Sequence, residues 1–204
     1  EGEYMDHYFT NNRHLETNRK EISFRFWCFT LKFLSDNGVF SKDAIDYGSR
    51  VLLGVIADHK LLGKKALDMG CGYGVIGITL KKCFPDTDFT LCDVNERALD
   101  LVKDNAKINE VEIEVKTSNV YENIIGNTFT DIISNPPIRA GKIVVHEILS
   151  GSYQHLACGG RLWVVIRKAQ GAPSAITKIK EVYGNCEILK KDKGYYVLMA
   201  EKKD

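Results

Sequence analysis

The stretch "LDMGCGYGVIG" at residues 67–77 decides the fold, because it joins a short apolar run to a segment with helical spacing. Its glycines Gly70, Gly72 and Gly74 let the backbone turn sharply and approach a ligand closely. Backbone amides at the start of the following helix can face a polar group. The stretch therefore predicts a strand, a ligand-binding turn and a helix in succession.

From about residue 66 onward, apolar runs alternate with segments of helical spacing. The predicted strands are "KALDMG", "DFTLCDV", "VEIEVKTS", "TDIIS", "GRLWVVIRK" and "KGYYVLMAEKK", and the predicted helices are "VIGITLKKCF", "NERALDLVKDNAKIN", "KIVVHEILSGSYQHL" and "APSAITKIKEVY". This alternation predicts a doubly wound α/β fold with helices on both faces of a mostly parallel, seven-stranded sheet. The last strand follows the polar turn "KKDKG" and is expected to be antiparallel at the sheet edge.

The first sixty residues have a different pattern. "EISFRFWCFTLKFLSD" is rich in β-branched and aromatic residues and predicts one long strand or a hairpin. "DYGSRVLLGVIADHK" predicts a helix. We expect residues 1–60 to form a β-rich flank and a lid helix of the same domain, whose core is residues 61–204.

Composition limits the possible partners and compartments. The net charge is +1 over 204 residues, so any basic surface for a polyanion has to be local. No apolar run approaches the ~20 residues needed to span a bilayer, and the first residues lack a signal pattern. The six cysteines are scattered without metal-ligand spacing. We expect a cytoplasmic protein that has no membrane partner and no metal site.

Two acidic residues indicate what the glycine turn binds. Asp68 comes directly before the glycines, where its charge disfavours a pyrophosphate and suits a cofactor with an ammonium group. Asp93 ends the next strand, about 20–25 residues further on, where an acid can accept from both hydroxyls of a ribose. A purely structural turn with two capping acids and an NAD(P) site remain alternatives.

The stretch "SNPP" ends another predicted strand at residues 134–137. Ligands bind beyond the carboxyl ends of strands in open α/β sheets. The side-chain carbonyl of Asn135 and the backbone carbonyl of Pro136 can each accept a hydrogen of a planar amine. Two such acceptors would orient the nitrogen lone pair and stabilise positive charge that grows on nitrogen. A turn that only stops the strand is the alternative.

The ordered set "LDMGCGYG", "CDVNERAL" and "SNPPIRAGK" resembles class I S-adenosylmethionine-dependent methyltransferases of the N-P-P type, which methylate exocyclic or amide nitrogens. "NGVFSKDAIDYGSRVLL", "NPPIRAGK" and "LWVVIRKAQGAPSA" further resemble small single-domain relatives of the bacterial small-subunit ribosomal RNA guanine-N2 methyltransferases. The resemblance covers the chain from about residue 15 to its end. It implies a Rossmann-like fold, S-adenosylmethionine as cofactor and guanine N2 of ribosomal RNA as methyl acceptor, free or in a ribosomal particle.

Other functions remain open on this resemblance. N-P-P turns also serve methylation of adenine N6 and of a protein glutamine amide, and a non-catalytic RNA-binding module could share the fold. No second copy of the domain occurs in these residues, so RNA binding is expected to draw on dimerisation or on partners in ribosome assembly. We expect a monomer or a homodimer.

The resemblance also assigns roles to positions. It implies a catalytic turn at Asn135, Pro136 and Pro137, and a cofactor site formed by Asp68, Gly70, Gly72, Gly74, Asp93, Val94, Asn119 and Asn135. Asn119 stands where such enzymes often have an acid for the adenine amine. Ile138 stands where many have a stacking Tyr or Phe, so an aromatic residue of the front segment such as Phe40 is expected to stack instead. The resemblance further suggests that Phe40, Asp46 and Gly48 line the pocket.

Four basic residues are expected near the same edge of the sheet. Arg139 and Lys142 flank the N-P-P turn, and Arg167 and Lys168 end a strand. Together with Phe40 and Ile138 they are the predicted substrate-binding residues, and their charges would form a local rim for RNA phosphates. The lysines expected to be solubilising edge charges are Lys190, Lys191, Lys193, Lys202 and Lys203.

Overall fold

A computed structural model describes residues 16–60, 63–126 and 128–204. The strands are β1 (Lys20–Phe26), β2 (Phe29–Ser35), β3 (Lys65–Met69), β4 (Asp88–Asp93), β5 (Glu114–Thr117), β6 (Phe129–Ser134), β7 (Leu156–Arg167), β8 (Glu187–Asp192) and β9 (Tyr195–Glu201). The helices are α1 (Tyr47–His59), α2 (Val75–Cys83), α3 (Glu96–Ile108), α4 (Lys142–His155) and α5 (Ala172–Tyr183), with 3-10 turns at Ile138–Ala140 and Lys168–Gln170. Within these described ranges, no helix is both long and apolar enough to traverse a bilayer.

The main sheet has seven strands in the order β5-β4-β3-β6-β7-β9-β8. The five strands from β5 to β7 are parallel, whereas β9 runs antiparallel to both β7 and β8. The predicted doubly wound, mostly parallel sheet with an antiparallel last strand is therefore confirmed. The carboxyl ends of β3, β4, β6 and β7 meet at one edge of this sheet.

One strand differs from the sequence-based expectation. "KKDKG" was predicted to be a turn, but Lys190–Asp192 belong to β8 and pair with Tyr195–Val197 of β9. The sequence pattern does not predict β8 because most of its residues are exposed and charged, with no alternation of apolar and polar residues. Lysines at an exposed sheet edge discourage pairing with another chain, which explains this composition.

The front segment forms a two-stranded hairpin, so the hairpin alternative is correct. Strands β1 and β2 pair in antiparallel register from Lys20↔Ser35 to Phe26↔Phe29. Two asparagines hold the free edge of β2. Asn105 of α3 exchanges hydrogen bonds with the backbone of Leu34 at 2.7 and 3.0 Å, and Asn109, the C-cap of α3, does so with the backbone of Lys32 at 3.1 and 2.8 Å. The side-chain amides thus replace a missing partner strand.

Each face of the sheet carries its own hydrophobic cluster. Phe33 of the hairpin, Leu53 of α1 and Leu91 of β4 belong to one cluster. Ile148 of α4 and Ala175 of α5 belong to the other. The flank and lid helix therefore share a core with the sheet, while the expected boundary at residue 61 and residues 1–15 of the flank lie outside the described residues.

Candidate functional site

The glycine turn lies at the carboxyl end of β3. The amides of Gly70 and Cys71 both donate to the carbonyl of Cys92, each at 2.9 Å, which ties the turn to β4. Gly74 has φ +101°, a conformation that strains any residue with a Cβ atom, and an added Cβ would also lie 2.8 Å from Ile78 Cδ1. A Cβ at Gly72 (φ +55°) would meet no described atom within 4 Å, which shows that space is open beside the turn.

Asp68 is buried beneath this turn, with 1% of its surface exposed. Its Oδ2 accepts from the amide of Gly77 at 2.9 Å and so fixes the first turn of α2 to β3. Its Oδ1 has no hydrogen-bond partner among the described residues. Burial raises the pKa of Asp68 to about 7; the Gly77 hydrogen bond opposes this shift, and the charge of Asp93 adds to it.

Asp93 is the last residue of β4 and holds two segments of backbone. Its Oδ2 accepts from the Gly72 amide at 2.8 Å, and its Oδ1 accepts from the Asn95 amide at 2.9 Å. Burial raises the pKa of Asp93, while the backbone N–H groups of Asn95, Gly72 and Val94 lower it. Each carboxylate oxygen can accept more than one hydrogen bond, so Asp93 retains capacity for a further donor.

The N-P-P turn lies beside the glycine turn, because β6 is adjacent to β3 in the sheet. Ser134 Oγ donates to the Met69 carbonyl at 2.8 Å, and an ideal Cβ at Gly70 would be 3.7 Å from Pro137 Cδ. The sequence-predicted residues Asp68, Asp93 and Asn135 are thus brought to one edge of the sheet.

The amide nitrogen of Asn135 is held by the start of α1. Asn135 Nδ2 donates to Asp46 Oδ2 at 2.9 Å and to Ser49 Oγ at 3.0 Å. In the described part of the chain, no group donates to Asn135 Oδ1, and this oxygen is not among the buried atoms without a partner. The carbonyl of Asn135 is therefore available to a ligand.

The segment between the hairpin and α1 crosses the glycine turn. Asn95 Nδ2 donates to the Gly38 carbonyl at 3.0 Å, and the hydroxyl of Tyr73 donates to the Ser41 carbonyl at 2.9 Å. Between these two anchors, the side chain of Phe40 is 56% exposed. The anchors place an exposed aromatic ring near the candidate site.

The other predicted residues are distributed around the same edge. Ile138 begins the 3-10 turn after Pro137 and packs partly against the cluster of α4 and α5. Asn119 follows β5 and lines a surface cleft. Four exposed basic residues lie after β6 or at the end of β7, which are neighbours in the sheet: Arg139, Lys142, Arg167 and Lys168.

The structure adds an aromatic and basic cluster that the sequence did not indicate. The rings of Tyr47 and Tyr195 lie 5.7 Å apart between centroids. The guanidinium of Arg167 lies 5.4 Å from the centre of the Tyr195 ring, and the ammonium of Lys193 lies 4.9 Å from that of Tyr47. Tyr47 follows Asp46 directly, so the cluster lies next to the carboxylate that accepts from the Asn135 amide. Lys193, expected to be a solubilising charge, is part of it.

Comparison with known proteins gives the relatives of this chain. Residues 30–199 match the family model of the methyltransferase small domain. The chain is 42% identical to uncharacterized protein YbxB of Bacillus subtilis, over 97% of this chain and 98% of that protein. It is 35% identical to ribosomal RNA small subunit methyltransferase C of Serratia proteamaculans, over 80% of this chain and 46% of that protein. It therefore spans about half the length of the ribosomal RNA methyltransferases that it matches.

A solved structure has the same fold. The T. Thermophilus 16S rRNA N2 G1207 methyltransferase (RsmC), in complex with AdoMet and guanosine, matches with a TM-score of 0.84 at 23% identity, over 93% of this chain and 52% of that chain. The Rossmann-like methyltransferase fold implied by the sequence resemblance is thus confirmed. The matches in sequence and in structure agree, and the chain belongs to the methyltransferase small domain family.

Proposed function

We propose that this chain is an S-adenosylmethionine-dependent N-methyltransferase that acts on an exocyclic amine of RNA, with guanine N2 of small-subunit ribosomal RNA as its target. The observation that carries the proposal is the position of the N-P-P turn beside the glycine turn, with the Asn135 carbonyl available. An amine held at this carbonyl would be next to a cofactor bound at the glycines.

The residues of the glycine turn fit the proposed cofactor. Asp68 presents a buried acceptor oxygen without a partner, which suits an ammonium group. Asp93 can accept from the hydroxyls of a ribose, with Val94 beside it, and the open space at Gly72 leaves room for a ligand against the backbone. When bound, S-adenosylmethionine would supply an electrophilic methyl group on a sulfonium.

The N-P-P turn would orient the acceptor. Asn135 Oδ1 and the Pro136 carbonyl would each accept one hydrogen of the planar amine, which fixes the plane of the –NH₂ group and directs the nitrogen lone pair out of it. The same two oxygens would stabilise positive charge as it develops on the nitrogen. The methylated amine cation loses its proton readily to water, so no strong base is needed at the turn.

The surroundings of the turn support RNA as the acceptor. The exposed cations Arg139, Lys142 and Lys168 would provide phosphate contacts despite the near-neutral net charge. Tyr47 and Tyr195 each have a cation over one ring face, Lys193 and Arg167 respectively. Aromatic rings next to positive charge suit the binding of unpaired nucleotides. The target base has to leave its stack to reach the turn, which favours single-stranded or locally opened RNA.

Transfer of a labelled methyl group tests the proposal. Purified protein would be incubated with methyl-labelled S-adenosylmethionine and, separately, with unmethylated small-subunit ribosomal RNA, small ribosomal subunits, DNA and protein. We expect label as N2-methylguanine in the RNA or the subunits. Asn135→Ala should abolish the label while S-adenosylmethionine still binds in calorimetry. Label confined to adenine or to protein would contradict the guanine assignment, and a fully active Asn135→Ala would contradict the amine site.

A further inference from the structure

We propose that Asp46 is a positioning residue, which fixes the orientation of the Asn135 amide so that its carbonyl oxygen faces the methyl acceptor. The role assigned to the carbonyl rests on the proposed function, whereas the orientation itself is a property of the free protein. The contact joins two segments that are 89 residues apart in the sequence.

The amide of an asparagine needs such a fixed orientation, because its oxygen and nitrogen ends have nearly the same shape. If the group turned over, –NH₂ would face the –NH₂ of the acceptor, and neither could accept from the other. Asp46 decides between the two orientations, since a carboxylate only accepts hydrogen bonds. Its Oδ2 lies 2.9 Å from Asn135 Nδ2, so the amide nitrogen has to point towards α1.

Ser49 reinforces this orientation but cannot set it alone. Its hydroxyl lies 3.0 Å from Asn135 Nδ2, and a hydroxyl can either donate or accept. The same hydroxyl lies 3.4 Å from Asp46 Oδ2, to which it donates. Because its proton points to Asp46, the oxygen is left to accept from Asn135. Without Asp46, Ser49 could donate to a reversed Asn135 amide.

The helix itself holds Asp46 in place. Asp46 is the N-cap of α1: its Oδ2 accepts from the Ser49 amide at 3.0 Å, and its backbone carbonyl accepts from the Arg50 amide at 3.1 Å. Buried residues of α1, including Leu52, Leu53 and Ile56, anchor the helix in the core. A hydrogen bond from the amide to a charged carboxylate also polarises the amide, which increases the negative charge on Asn135 Oδ1.

The N-cap makes a discriminating set of variants possible. Asp46→Ala removes both the cap and the acceptor. Asp46→Asn keeps both, because asparagine is an equally good N-cap, and its oxygen, turned to the Ser49 amide, also reaches Asn135. Ile56→Val, nearly three turns further along α1, is a matched control: it removes one buried methylene group, at a cost in stability similar to that of a lost cap.

Two measurements test the inference. The first is NMR of the side-chain amide of Asn135, assigned by its absence in Asn135→Ala, in the protein without added ligands. We expect slow solvent exchange in the unmodified protein, Asp46→Asn and Ile56→Val, and exchange at least about tenfold faster in Asp46→Ala. Unchanged exchange in Asp46→Ala would overturn the inference, whether or not the protein methylates RNA.

The second is single-turnover methyl transfer to unmethylated small-subunit ribosomal RNA at saturating S-adenosylmethionine. We expect Asp46→Ala to lower the rate about 10- to 100-fold, as for loss of one charge-stabilising hydrogen bond, with cofactor affinity unchanged within about twofold. Asp46→Asn should recover most of the rate, and Ile56→Val should keep it. Equal rates for Asp46→Ala and Ile56→Val would overturn the role in catalysis. Absence of transfer by the unmodified protein would instead refute the proposed function and leave the exchange result to decide on the orientation.

Discussion

The raised pKa of Asp68 makes the affinity for S-adenosylmethionine depend on pH. The pKa of this carboxyl is about 7 because it is buried, whereas an ammonium group next to it requires the ionised form. At about pH 5.5 only about 3% of Asp68 is ionised, and at about pH 7.0 about half is. If the bound state requires the carboxylate, affinity should rise about 15-fold between these two values. The amino group of the cofactor stays largely protonated over this range.

Isothermal titration of the protein with S-adenosylmethionine, from about pH 5.5 to about pH 7.0, measures this effect. Repeating the titration at about pH 6 in buffers of different ionisation enthalpy gives the protons released, which should approach one per cofactor bound. Asp68→Asn should bind more weakly and lose most of the pH dependence. Asp86→Asn, an exposed acid in the loop before β4, should behave like the unmodified protein. Constant affinity across the range with no proton release would refute the role of Asp68.

Four further predictions concern binding and stability. Gly72→Ala should lower stability by only about 1–2 kcal/mol for its positive φ, but weaken cofactor binding more than about tenfold, because its Cβ would enter the open space; thermal unfolding and calorimetry separate the two. Arg167→Ala should reduce the slope of log affinity for single-stranded RNA against log salt by about 0.7, whereas Lys64→Ala, at the opposite edge of the sheet, should not. Asn105→Ala should destabilise the protein by about 2–4 kcal/mol in urea unfolding, since it removes the hydrogen bonds to the partly buried N–H and C=O of Leu34 and to the buried carbonyl of Tyr73. Asp68→Asn should make the ligand-free protein more stable than the unmodified protein at about pH 8 but not at about pH 4, by thermal unfolding.

The sequence predicted the sheet and the proximity of three candidate-site residues, because both depend on local patterns and one general rule. Apolar runs ending in "DMG", "CDVN" and "SNPP" are strands whose carboxyl ends meet in a parallel sheet, so Asp68, Asp93 and Asn135 had to lie near one another. The roles of these residues in binding and catalysis remain predictions. Strand β8 was missed because its residues are mostly charged and exposed, as suits the edge of a sheet, and so lack the apolar pattern of a buried strand.

The contacts that complete the site could not be predicted, because no local pattern encodes them. Asp46 contacts Asn135, and Tyr47 contacts Tyr195, only because α1 packs against β7 and β9. In the sequence, Asp46 is one N-cap residue before a helix, and Tyr195 is one apolar residue of a strand. The contacts of Asp46 with Asn135 and of Tyr47 with Tyr195 form only when the N-terminal flank packs on the core.

Burial of Asp68 and Asp93 links the affinity for S-adenosylmethionine to the stability of the ligand-free protein. An unfolded Asp68 would lose its proton near pH 4, but the folded carboxyl retains it until about pH 7. The folded state therefore holds more protons than the unfolded state between these values, so the stability due to this group is fully present below about pH 4 and is lost as pH rises towards about 7. Asp93, whose pKa burial also raises, acts in the same direction. A ligand that donates hydrogen bonds or positive charge to these oxygens removes the penalty, so cofactor binding should stabilise the fold most near neutral pH, where Asp68 is ionised and the amino group of the cofactor is still largely protonated.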